Sequence, residues 1–253
     1  MWRYCLTLTL LAWLQPAVAH DQGRPVPTDA NVLTALDVSD SIGRPDAALQ
    51  FEGVAEAVLA SEFLEMVDGG QHGRIGFAVY TWAAGRNLRV VVPWTLIGSA
   101  DDAGRVAAEL RSAAGQERAS VARPKVDGRP ALVWYEFRTD ISAAIDQGRA
   151  MLDVAPYAAR RAVLNLCANG EDNVDDGPAD ARDRAVAAGM TVNALALGKD
   201  DKLGAYLRAQ VQGGPGFFVL DARAYGDFTE AMLRKFLMDL IALRPRAALA
   251  AQG

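Results

Sequence analysis

Val32-Leu33-Thr34-Ala35-Leu36-Asp37-Val38-Ser39-Asp40-Ser41-Ile42-Gly43 begins as an apolar run and ends in a carboxylate followed by hydroxyls on alternate positions. The run is short, rich in Val, Leu and Ala, and closed by Gly43 and Pro45. That pattern fits a strand covered on both faces better than a helix. In an extended loop Asp37, Ser39 and Ser41 point the same way, because side chains alternate along extended backbone. Oxygen donors of this kind suit magnesium, manganese or calcium, and suit zinc or copper poorly.

Working outward, 253 residues with 51% apolar content are enough for one large α/β domain and a tight fit for two. A net charge of −5 argues against a nucleic-acid partner, which needs a concentrated basic face. Arg3, the apolar stretch Tyr4 to Leu14 and the small residues Ala17-Val18-Ala19 read as a signal peptide over residues 1–19, cleaved before His20. The apolar run is too short for a membrane anchor, and the later stretch from Phe228 to Leu243 is interrupted by Arg234, Lys235 and Asp239. The expectation is an exported protein without a membrane anchor, periplasmic in a Gram-negative bacterium. Cys5 leaves with the signal, so Cys167 stands alone and no internal disulfide forms. No lipid-attachment cysteine stands at the cleavage site. With only His20 and His72 in the chain, histidine-built zinc sites and hydrolases with a histidine base are hard to assemble.

Residues 20–30 read as a flexible lead-in, residues 31–243 as the domain and residues 244–253 as a disordered tail. Pro45 to Val67 carries Leu49, Val54, Val58, Leu59, Phe63 and Met66 at helical intervals, predicting one amphipathic helix ending near Gly69-Gly70. Arg74 to Trp82 and Leu88 to Pro93 read as two strands of a hairpin joined at Ala84-Gly85-Arg86-Asn87. Asp101 to Ala114 reads as a helix, and Gly115 to Arg138 as a long surface excursion. A helix from Thr139 to about Asp153 precedes the buried strand Arg161 to Ala168, which ends in the polar loop Asn169-Gly170-Glu171-Asp172-Asn173. Pro178 to Gly189 reads as a helix, Met190 to Leu197 and Phe217 to Leu220 as strands, and Asp227 to Leu243 as the last helix. Alternation at these lengths predicts an α/β, doubly wound, mostly parallel central sheet with one antiparallel edge strand and helices on both faces, with ligands at the carboxyl ends of its strands.

In such a sheet the loops carrying Asp37, Ser39, Ser41, Thr139 and Asn169 converge. Asp37-Val38-Ser39-Asp40-Ser41 resembles the D-x-S-x-S signature of von Willebrand factor type A domains, which opens their metal-ion-dependent adhesion site, or MIDAS. The resemblance runs from about Val32 to Leu243. It is closer still to a small exported bacterial branch of that superfamily, carried as a domain of unknown function. Supporting segments are Val92-Pro93-Trp94-Thr95, Arg160-Arg161-Ala162-Val163, Arg182-Asp183-Arg184-Ala185, Val192-Asn193-Ala194-Leu195 and Gly213-Gly214-Pro215-Gly216-Phe217-Phe218-Val219.

The resemblance implies that Ser39, Ser41 and Thr139 are direct metal ligands and Asp37 a carboxylate close to the ion. It also implies a non-enzymatic module that captures an Asp or Glu of a partner protein through magnesium or manganese, with calcium a third option. The departure is Asn169-Gly170 where the family usually has Asp-Gly; an amide oxygen coordinates but brings no charge. The metal is therefore expected to be weakly bound, and an outside carboxylate more strongly attracted. Asp40, Asp140, Glu171 and Asp172 lie close in sequence and form a candidate second shell. Competing readings are a strand-to-helix turn in which Ser or Asp caps the next helix, and Thr139 as the cap of its own helix. At the level of function they are a structural interaction domain with a decayed metal site, its binding moved to Gly115 to Arg138, and a serine hydrolase using Ser39 or Ser41. Cys167 reads as a buried apolar residue, and Gly213 to Gly216 as a turn rather than a phosphate loop.

Overall fold

In the computed structural model, which describes residues 24–39, 41–83, 88–119, 125–126, 129–130, 138–174 and 177–241, strands and helices alternate along the chain. They are β1 (Val26–Thr28), β2 (Asn31–Asp37), α1 (Arg44–Leu59), α2 (Ser61–Asp68), β3 (Ile75–Trp82), β4 (Arg89–Ile97), α3 (Ala100–Ala119), β5 (Lys125–Val126), β6 (Arg129–Pro130), α4 (Ile141–Asp153), β7 (Tyr157–Ala159), β8 (Ala162–Ala168), α5 (Ala179–Ala187), β9 (Met190–Leu197), α6 (Asp201–Gln210), β10 (Val219–Ala222) and α7 (Phe228–Ile241).

The central sheet has the order β10-β9-β8-β2-β3-β4. All its neighbours run parallel except β3 and β4, which form the antiparallel hairpin expected at the edge. Every residue of β2, β3 and β9 is buried, because helices cover both faces. On β4 burial is partial, and Pro93 is tolerated there because an edge strand can spare a backbone donor.

Alternation divides the core. Val32 and Leu36 of β2, with Phe77 and Val79 of β3, meet α1, α2, α3 and α7 on one face. Leu33 and Ala35, with Tyr80, Trp82, Leu164 and Leu166, meet α4, α5 and α6 on the other. Asp37 has the parity of Leu33 and Ala35, so it leaves the sheet on the α4 side.

Several expectations need correction. Val26–Thr28, placed in a flexible lead-in, is β1 and pairs in parallel with β7, and Asn31 Nδ2 ties the same region to the Tyr157 carbonyl at 3.1 Å. The single helix expected from Pro45 to Val67 is two. Ala60 is extended (φ −62°, ψ 137°), and the turn lets α2 bury Phe63 and Val67 against α7, with the Phe63 and Phe236 rings 5.7 Å apart. Periodicity could not show this, since one extended residue leaves the apolar phase nearly intact. Gly115 to Ala119 continue α3 instead of opening the excursion, and Lys125–Val126 pairs with Arg129–Pro130. Strand β7 and helix α6 were not anticipated. Asp200, whose side chain accepts from Lys202 N at 2.9 Å, caps α6.

The Gly213 to Gly216 turn is backbone geometry. Gly214 has φ +89°, and a Cβ there would stand 2.3 Å from the Met190 carbonyl oxygen. Cys167 is fully buried, and burial pushes its thiol up to about 12. The residues read as a signal peptide (1–19), as a hairpin turn (84–87) and as a tail (244–253) lie outside the described residues.

Candidate functional site

The strand order reverses between β8 and β2. From β2 the chain proceeds to β3 and β4 on one side; from β8 it proceeds to β9 and β10 on the other. Loops leaving the carboxyl ends of β2 and β8 therefore part in opposite directions and open a crevice. Asp37 ends β2, Asn169 follows β8, and Thr139 stands before α4, which packs against both strands.

Asp37 is fully buried, and its carboxylate is fixed from two loops: Oδ1 accepts from Ser39 N at 2.8 Å and Oδ2 from Asn169 N at 3.3 Å. Burial pushes the Asp37 carboxyl up to about 6, while the bonds from Ser39 and Asn169 work the other way. A cation alongside would also favour the ionised form. The Ser39 and Ser41 Oγ atoms are 2.9 Å apart, and the Ser41 hydroxyl donates to Asn169 Oδ1 at 2.8 Å. Ser39 is buried and Ser41 exposed, so the row of oxygens leads from the strand end to the surface.

Thr139 joins this group through Gly170: a Cβ at Gly170 would lie only 3.6 Å from Thr139 Oγ1. Its backbone is clamped by Asn173, whose Oδ1 accepts from Thr139 N and whose N donates to the Thr139 carbonyl, both at 3.0 Å. Hydrogen bonds thus join Asp37, Ser39, Ser41 and Asn169, and Thr139 stands beside Gly170, the residue that follows Asn169.

Of the second-shell candidates, Asp140 Oδ1 accepts from Ala143 N at 2.8 Å and caps α4. Asp172 Oδ2 accepts from Ser142 N at 3.0 Å and Oδ1 from Val174 N at 3.0 Å, binding its loop to the start of α4. Glu171 is exposed. Asp40 lies outside the described residues.

The serine and Thr139 capping alternatives are not borne out. The cap of α1 is Gly43, without a side-chain hydrogen bond, so neither serine caps that helix; Asp140, not Thr139, caps α4. His72 stands at the opposite end of β3, where its backbone N–H donates to Asp29, too remote to serve Ser39 or Ser41 as a base.

Three supporting residues escaped the sequence reading. Gln50 on α1 is fully buried and its Nε2 donates to the Asp37 carbonyl at 2.8 Å. Tyr206 on α6 accepts at its hydroxyl from Asp172 N at 3.3 Å, and Ser142 anchors Asp172. Gln50 carried a faint signal, an amide among apolar residues of a buried helix. Tyr206 carried none, because its helix was not foreseen.

The donor set is all oxygen: three hydroxyls, one amide and one carboxylate. It fits a hard divalent cation. Among the described residues no three His, Cys, Asp or Glu side chains gather, so such an ion would rest mainly on neutral oxygens.

A doubly wound sheet with an antiparallel edge, and a D-x-S-x-S loop at its switch point, defines the von Willebrand factor type A fold. The vWF domain of the type V pili tip protein Mfa5 from Porphyromonas gingivalis shares it with a TM-score of 0.56 at 10% identity, over 87% of this chain and 98% of that one. Proximal thread matrix protein 1 from the mussel byssus is similar with a TM-score of 0.55 at 15% identity, and a form of it described as having a zinc-occupied MIDAS motif with 0.50 at 16%. In both cases 86% of this chain is covered, and it spans about half (49%) of the mussel chain's length. Comparison with curated protein sequences gives no match. The chain belongs to the family described as protein of unknown function (DUF1194), whose profile matches residues 27–244.

Proposed function

We propose that the chain is an exported binding module whose divergent MIDAS, formed by Asp37, Ser39, Ser41, Thr139 and Asn169, uses a weakly held divalent ion to capture a carboxylate of a partner protein. The observation that carries this reading is the convergence of those side chains at the switch point, with Asp37 clamped by Ser39 and Asn169. Asp37 is their one formally ionised member, so a divalent ion there keeps about one unit of positive charge. Magnesium or manganese suits the donors; the zinc of the mussel relative belongs to that protein. Export accords with the leader-like first 19 residues and with neighbours described from pili and byssus. No described helix is long and apolar enough to cross a membrane.

The test uses manganese as a relaxation probe. With the manganese-loaded protein, acetate methyl protons should relax faster than those of acetamide, and the difference should vanish in Asp37→Ala. Equal relaxation of the two probes would contradict carboxylate capture.

A second reading has its own observation. Ser39, Ser41 and Asn169 already satisfy one another by hydrogen bonding, as in a structural interaction domain whose metal site has decayed. Asn169→Asp separates the two, because restoring the charge should tighten metal binding only where the site still functions.

A further inference from the structure

At the opposite end of the sheet, where β3, β8 and β9 begin, a cavity of about 450 Å³ opens between α2, the end of α7 and the strand ends. Its volume lies in the range of small-molecule sites, about 300–1,000 Å³. Its lining includes the apolar Met66, Val67, Ile75 and Leu240 together with Arg160 and Arg161.

Neither arginine hydrogen-bonds a carboxylate among the described residues. Arg161 Nη2 donates to the Pro215 carbonyl at 3.0 Å, while its Nε is buried and lacks a partner. Burial acts against the Arg161 charge, and Asp239, its compensating carboxylate, is itself fully buried and bound by Asn165 Nδ2 (2.6 Å) and Asn193 Nδ2 (2.7 Å). Arg160 is exposed. The cavity's own carboxylate, Asp29, is turned to the backbone, accepting from His72 N at 3.0 and 3.1 Å and from Arg74 N at 3.4 Å. A half-buried guanidinium that lines a partly apolar cavity and has no carboxylate hydrogen-bonded to it suits an anion on an apolar body.

We infer that this cavity is a second ligand site, for a small amphipathic carboxylate whose acid group meets Arg161 and Arg160 and whose apolar body lies on Met66, Val67, Ile75 and Leu240. It is separate from the Asp37 site and needs no metal.

Decanoate and decan-1-ol are the probes, titrated calorimetrically into the full chain in the presence of a chelator, which removes any metal-held binding. Decanoate should bind at least tenfold more tightly than decanol. Arg161→Gln should weaken decanoate about tenfold and leave decanol unchanged, and Arg160→Ala should weaken it severalfold. Arg160 is exposed, so its variant stands if loss of the Pro215 bond impairs folding of the other. Absence of decanoate binding, equal affinity for both probes, or indifference to both substitutions would each overturn the inference.

Discussion

Asn169 sets the electrostatics of the site. Its backbone N–H holds Asp37, and its side-chain oxygen takes the Ser41 hydroxyl, so it is positioned like a ligand while contributing no charge. Asn169→Asp keeps the acceptor and adds a carboxylate within reach of the same oxygens. Magnesium affinity should rise by about tenfold or more, measured by calorimetry, and the fold should be unchanged by circular dichroism. An unchanged or weaker affinity would mean that position 169 does not face the ion. Asp37, Ser39, Ser41 and the Asn169 departure were legible because they sit at the ends of strands that announce themselves. Gln50 and Tyr206 were not, because Gln50 shows only as an amide among apolar residues of α1 and Tyr206 reaches Asp172 from α6, 34 residues along the chain.

At the scale of elements, α7 packs a buried charge as well as apolar side chains against the sheet. Lys235 is fully buried, its Nζ lacks a hydrogen-bond partner and lies 4.6 Å from the Phe218 ring centroid. Burial pulls the Lys235 amine down to about 8, partly offset by Asp239. An amine whose pKa is lowered by folding penalises the fold below about pH 8, and the penalty is relieved as pH rises from 8 towards 10.5. The fall from 10.5 to about 8 corresponds to about 3 kcal/mol. In Lys235→Met that pH-dependent gain should disappear, so the stability of the variant relative to wild type should fall from pH 7 to pH 10. A constant difference in chemical denaturation at the two pH values would contradict the buried amine.

Helix α1 crosses α7 at Gly53, where a Cβ would stand 2.4 Å from Phe228 Cδ1. Gly53→Ala should therefore destabilise by about 1–3 kcal/mol through overpacking, read as a lower denaturant midpoint. An unchanged midpoint would show that the helices can part without cost. The break at Ala60 and the strand β1 mark where sequence reading fell short: the first depends on what α2 packs against, the second on a strand contributed from 131 residues away at Tyr157.

For the whole molecule, the layering of helices on both faces of a parallel sheet was legible because fully buried strands read as continuous apolar runs. The site followed from topology, since a strand order that reverses between β8 and β2 leaves one crevice for loops to fill. Helix α6 was missed although Asp200 caps it and Leu203 and Leu207 repeat at helical spacing, because ten residues with a short apolar stripe carry little signal. A ligand that binds only the folded chain stabilises all of it. Magnesium at 100 times its dissociation constant should contribute about 2.7 kcal/mol and raise the thermal midpoint by about 5–10 °C. A midpoint indifferent to saturating magnesium would argue that the folded chain does not hold it.

Whether the Asp37 loop holds a divalent ion is read from calorimetric titration of magnesium and manganese into wild type and Asp37→Ala. Saturable binding to wild type that is lost in the variant is expected, with both proteins folded. Equal heats from the two would contradict it.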